Sequence, residues 1–180
     1  QFTPWLLQGV TASGKTEVYL RLAAHALAQK AQVLILVPEI ALTPQLESRV
    51  AKRFPSAHIV SLHSGLTAGK RSQAFQEAAE GQAQIVLGTR MAVFTPIPNL
   101  GLIIVDEEHD ASFKQQEGIR YHARDVAIWR ARDRNVPILL GSATPSLESW
   151  QHAQTGRYRQ LTLSQRALAV TLPTVRTIDT

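Results

Sequence analysis

The sequence predicts an α/β domain with a central, mostly parallel sheet and helices on both faces. Three observations carry this. Continuously apolar segments of strand length recur, helical stretches are interposed between them, and capping residues stand at the joints. Runs that are apolar throughout are buried on both faces, and strand–helix alternation brings right-handed crossovers. In such sheets ligands bind at the carboxyl ends of the strands.

The expected strands are Trp5–Gly9, Val33–Val37, His58–His63, Gln84–Gly88, Leu102–Val105 and Pro137–Gly141. The expected helices are Lys15–Gln29, Pro44–Arg53, Ala68–Glu80 and Arg124–Arg134, with another at about Ser146–Thr155. In the first helix Val18, Leu22 and Ala26 recur at spacing four, flanked by Tyr19, Ala23 and Leu27. Thr43-Pro44 reads as an N-cap followed by proline at the first helical position, and Thr144-Pro145 reads the same way. The tryptophans Trp5, Trp129 and Trp150, and His63, read as packing residues. Residues 1–165 are expected to form the domain. Residues 166–180, aperiodic around Pro173, are expected to begin a linker.

The 180 residues suit one domain, and at 44% hydrophobic and 18% charged they exclude disordered and low-complexity classes. There is no cysteine, which rules out disulfides and thiolate-bound metal within this stretch. No apolar run reaches membrane-spanning length and no signal pattern opens the chain, so a cytoplasmic protein without membrane contact is expected. The first residue is not Met and a strand begins almost at once, as in a piece of a longer polypeptide. The net charge of +5 suits a polyanionic partner but equally a solubilising surface.

Gly9, Val10, Thr11, Ala12, Ser13, Gly14, Lys15 and Thr16 match G-x-x-x-x-G-K-[ST] between a predicted strand and a predicted helix. Loop amides and the helix N-terminus point at phosphates, Lys15 reaches the β- and γ-phosphates, and the Thr16 hydroxyl suits Mg²⁺. Downstream, Leu102–Val105 ends in Asp106, Glu107, Glu108 and His109. Asp106 is placed to hold Mg²⁺, and Glu107 to orient and deprotonate an attacking water. A GTPase would show Asp-x-x-Gly where this chain has His109, and a small-molecule kinase needs no water-activating glutamate. ATP hydrolysis that drives other work is therefore the expected chemistry, with ATP and Mg²⁺ as cofactors.

Asp106-Glu107-Glu108-His109 and Gly141-Ser142-Ala143-Thr144 resemble the DEXH box and Ser-Ala-Thr motif of superfamily-two helicases. Within them, four segments closely resemble the primosomal replication-restart helicases. These are Val37–Gln45, His63–Leu66, Gly88–Arg90 and Asp106–Asp125. The likeness covers about residues 5–165. Two positions depart from it: Ala12 where glycine is usual and Phe113 where tyrosine is common. The resemblance implies the first RecA-like P-loop NTPase lobe of a 3′-to-5′ DNA helicase that restarts stalled forks. It also implies a second lobe of the same protein as partner, single-stranded and branched DNA as substrates, and primosome and single-stranded-DNA-binding proteins as further partners. Zinc is implied only in another part of the full-length protein.

The strand ends at Thr43, Thr89 and Arg90 offer hydroxyls, amides and a guanidinium to a phosphodiester backbone. For Thr43, helix capping is compatible with that contact; for Arg90 the other reading is an ordinary surface arginine. The connection Asp110–Tyr121 has no apolar period and carries Phe113, Lys114, Arg120 and Tyr121, a mixture suited to stacked bases and tracked phosphates. It resembles the aromatic-rich loop of this family, which signals DNA binding to the ATP site. His109 is either a relay in that signal or a structural histidine. Ser142 and Thr144 are expected to couple hydrolysis to lobe movement, or Thr144 only caps a helix. A rival reading is a nucleotide-gated DNA-binding and recruitment module without motor activity. A second is a self-contained enzyme acting on a small molecule, against which the cationic, aromatic loop argues.

Overall fold

A computed structural model describes residues 2–10 and 12–164. The linker expected at residues 166–180 lies outside them. The chain runs β1 (Trp5–Gly9), α1 (Lys15–Ala28), β2 (Gln32–Leu36), α2 (Pro44–Arg53), β3 (Ile59–Leu62), α3 (Ala68–Ala79), β4 (Ile85–Gly88) and β5 (Leu100–Val105). It continues through β6 (Lys114–Gln115), β7 (Tyr121–His122), α4 (Ala123–Asp133), β8 (Ile138–Ser142), α5 (Leu147–Gln154) and β9 (Arg159–Leu163). Seven strands form one sheet in the order β3-β4-β2-β5-β8-β1-β9, and every pairing in it is parallel.

Alternation along the buried strands divides the core in two. Leu34, Leu36, Ile103, Val105, Ile138 and Leu140 pack on one face, with Ala74 and Ala78 of α3 and Ala123, Ala127 and Ala131 of α4. Val33, Ile35, Leu102, Ile104 and Leu139 pack on the other, with α1 and Val50 of α2. A sheet covered on both faces is what continuous apolar strands require. Thr43 caps α2 by accepting from the Leu46 N–H at 3.3 Å, with Pro44 opening the helix.

Several local expectations are corrected. The face of α1 that is buried is Tyr19, Leu20, Ala23 and Ala26, while Leu22 points outward. Leu22 and Ala26 therefore do not share the buried stripe. Trp129 is 66% exposed and Trp150 is also exposed, so neither is a packing residue. In α4 the alanines at spacing four face the sheet instead, letting the helix approach closely. The cap of α5 is Ser146, whose hydroxyl accepts from the Ser149 N–H at 3.2 Å, and not Thr144. Two elements were not anticipated. The edge strand β9 pairs with β1, and the antiparallel pair β6–β7 folds back within the long connection. β9 is exposed at all but its last residue and β6 and β7 have two residues each, so neither leaves an apolar signature.

Candidate nucleotide and nucleic-acid sites

The carboxyl ends of β1, β8 and β5, which are neighbours in the sheet, bring three motifs together. At β1 the chain turns sharply: Ala12 sits at φ 64° and Gly14 at φ 95°, both left-handed. Such turns aim successive N–H groups into a concavity suited to anions. Ala12 adopts with a side chain a conformation that glycine takes without strain, which accounts for the usual glycine. Thr11 lies outside the described residues. The Ser13 hydroxyl is buried without a partner, an orphan polar atom inside the loop.

Lys15, 8% exposed, donates to the Gly9 carbonyl at 2.9 Å and pairs with Glu107 Oε1 at 3.4 Å. The phosphate loop and the acid pair are thus in direct contact. Asp106 follows β5, and its N–H extends the ladder to the Leu36 carbonyl at 2.8 Å. Burial raises its carboxyl above the ordinary aspartate range, and the Glu107 charge adds to this, while a hydrogen bond from Tyr19 works against it. Glu107 itself sits at φ 46°, a left-handed conformation for a side-chain-bearing residue, of the kind found where function over-determines the backbone. An orphan hydroxyl, a buried lysine and the hard oxygens of Thr16 and Asp106 fit a magnesium–nucleotide complex.

His109 lies beside this centre. Its Nδ1 is 2.7 Å from Ser142 Oγ and 3.6 Å from Glu107 Oε2, and its Nε2 is 3.3 Å from Thr144 Oγ1. The Thr144 N–H donates to Ser142 Oγ at 2.9 Å. His109, Ser142 and Thr144 are therefore one hydrogen-bonded group against the acid pair.

The residues expected to meet DNA are dispersed. Lys114, Arg120 and Tyr121 line one cleft of about 610 Å³ with Gln116 and Arg124, and Asp125 and Glu148 also line it. Thr43 lies elsewhere, at the start of α2. Arg90 braces the loop from beneath: its guanidinium donates to the carbonyls of Ser112 at 3.0 Å and Lys114 at 3.2 Å. Two expectations are corrected. Phe113 is 0% exposed within the core, so its ring cannot stack on a base. Thr89 is 3% exposed, and its hydroxyl is withdrawn from the surface. The aromatic group at this rim is Tyr121, edge-on to the exposed Phe94 with centroids 4.9 Å apart.

A protein-family model described as DEAD/DEAH box helicase matches residues 4–153. The chain belongs to the DEAD/DEAH box helicase family. It is 54% identical over 166 residues to replication restart protein PriA of Haemophilus influenzae, covering 92% of this chain and 23% of that protein. It is 46% identical over 175 residues to PriA of Bacillus subtilis, covering 97% of this chain and 22% of that one. Among solved structures, RecG bound to a three-way DNA junction aligns with a TM-score of 0.63 at 26% identity, over 89% of this chain and 21% of that chain. The chain spans about a quarter of the length of these curated relatives.

Sequence reasoning missed Glu108. It is 0% exposed and accepts from the Ser146 N–H at 2.8 Å, the Ser149 hydroxyl at 2.9 Å and Arg124 at 3.1 Å. This third acid of the helicase box fastens α4 and the start of α5 to the end of β5. Two adjacent glutamates after a buried strand were the available signal, since the two cannot both face the nucleotide.

Proposed function

We propose that this chain is the ATP-binding lobe of a 3′-to-5′ ATP-dependent DNA helicase that works at stalled or branched replication forks in replication restart. The observation that supports it best is the Lys15–Glu107 contact, which joins the phosphate loop to the acid pair in a chain closely similar to PriA proteins. Bound Mg²⁺ would neutralise phosphate charge, with Thr16 and Asp106 as its protein ligands. Lys15 leaves Glu107 for the phosphate oxygens, which releases the Glu107 carboxylate to accept a proton from water. His109 senses the same carboxylate and passes its state to Ser142 and Thr144. Lys114, Arg120, Tyr121 and the loop braced by Arg90 form the DNA-facing rim, with Thr43 a separate contact at the start of α2. A second lobe of the same protein supplies the cation that completes transition-state stabilisation. Primosome proteins and single-stranded-DNA-binding protein are the partners of the whole protein, and its compartment is the cytoplasm. Among the described residues no helix is long and apolar enough to cross a membrane.

The test is steady-state ATP turnover with and without single-stranded DNA at low salt, in this chain and in the intact polypeptide. DNA-stimulated turnover confined to the intact polypeptide supports half of a two-lobe motor. Brisk turnover by this chain that ignores DNA overturns that reading. Polarity follows from strand displacement on substrates with one 3′ or one 5′ tail.

A further inference from the structure

One buried side chain in the nucleotide site lies outside the phosphate loop and the helicase box. Tyr19, 3% exposed, donates its hydroxyl to Asp106 Oδ1 at 2.8 Å. It stands one turn beyond Thr16 on α1, so Thr16 and Tyr19 share a helix face. The Glu107 N–H donates to the same oxygen at 3.0 Å. Both hydrogen bonds fall on Oδ1, and Oδ2 takes none among the described residues. The room for the tyrosine comes from a third element. A Cβ at Gly141, in β8, would overlap the Tyr19 hydroxyl. A side chain on the strand between the phosphate loop and the acid pair would displace the ring.

We propose that Tyr19 is a positioning residue, which fixes the rotation of the Asp106 carboxylate so that Oδ1 is tied to the protein and Oδ2 is presented to the magnesium of a bound nucleotide. A carboxylate turns easily about its last bond. A buried hydroxyl and a backbone N–H on one oxygen remove that freedom before the cation arrives, and preorganisation of this sort raises affinity by lowering the ordering cost. The absence of a side chain at Gly141 is the condition for it. This inference rests on the nucleotide reading above and adds to it a residue outside the phosphate loop and the helicase box.

The test reads magnesium dependence. Binding of a fluorescent ADP analogue to the full chain is measured as Mg²⁺ is titrated, and again in EDTA. Tyr19→Phe, which keeps the ring and removes one hydroxyl, is expected to raise the Mg²⁺ midpoint by about threefold to tenfold while ADP binding in EDTA is unchanged. Gly141→Ala, which crowds the hydroxyl without removing it, is expected to shift the midpoint in the same direction. Thermal melts confirm that each variant is folded. A Tyr19→Phe midpoint equal to wild type overturns the proposal. So does an equal loss of ADP binding with and without Mg²⁺, because a merely structural tyrosine would weaken both. Lys15→Ala separates this from the underlying reading: if it binds the analogue as well as wild type, the phosphate site itself is wrong and the Tyr19 role falls with it.

Discussion

The two rims of the lobe that are proposed to face ligands are built in opposite ways. At the proposed nucleotide rim, side chains are tied to one another and to backbone: the buried Lys15 to Gly9, the buried Tyr19 to Asp106, and His109 to Ser142. At the nucleic-acid rim, Lys114 and Arg120 stand exposed around a pair of two-residue strands, held from below by Arg90. Phosphoryl transfer needs groups fixed before the substrate arrives. A polymer that must be gripped and released needs charge without rigid geometry. Between the rims runs Glu108, which binds the first turn of α4 and the cap of α5 to the strand carrying Asp106.

That linkage is where the largest effect is expected. Glu108→Ala takes from the buried Arg124 cation its one buried carboxylate, leaving only the exposed Asp125 at 2.8 Å, and removes the acceptor of the Ser146 and Ser149 hydroxyls. It should cost about 3–5 kcal/mol of folding stability, read from urea unfolding. Both rims should loosen together, because the residue serves neither ligand alone. Lys15→Ala breaks only one rim: nucleotide affinity should fall by about a hundredfold by calorimetry, roughly 3 kcal/mol, with single-stranded DNA affinity at low salt unchanged. Lys114→Ala and Arg120→Ala break the other. Each should lower the slope of log affinity against log salt by about 0.7 for single strands and leave nucleotide binding intact. A loss of nucleotide affinity in either variant would show that the rims are not separate.

The smallest effect is a gain. Asp106 holds its proton more tightly in the fold than in the unfolded chain, because burial raises its carboxyl. Stability from this group is therefore highest below the ordinary aspartate value and is lost as pH rises toward the raised one. Asp106→Asn removes that loss. Its Tm should rise by about 1–4 °C at pH 7 and match wild type near pH 3 in melting scans. The proposed role of Asp106 as a magnesium ligand accounts for this cost, because a carboxylate has to be ionised to take a cation.

The same contrast governs what could be read from sequence. Apolar runs and the glycine–lysine loop are backbone demands, so β1, β5 and β8 were legible almost to the residue, and so was the turn that joins β1 to α1. Phe113 was not. In a segment without periodicity, nothing local distinguishes a ring that stacks outside from one that anchors the loop in the core. Trp129 failed for the opposite reason, since hydrophobicity argued for burial while close helix–sheet approach demanded alanine. Tyr19 meets Asp106 across 87 positions, Glu108 meets Arg124 across 16 and Ser146 across 38, and Gly141 makes room for Tyr19 from another strand; the fold brings these together, and no local pattern records it.

The edge strand β9 has a mechanical consequence. It lies parallel to β1, and its last paired residue, Leu163, is in register with Gly9, where the phosphate loop begins. A pull on the backbone at residue 164 would load that pair before any other and peel β9 toward Trp5. Tension applied there is thus felt first at Gly9, where the phosphate loop begins.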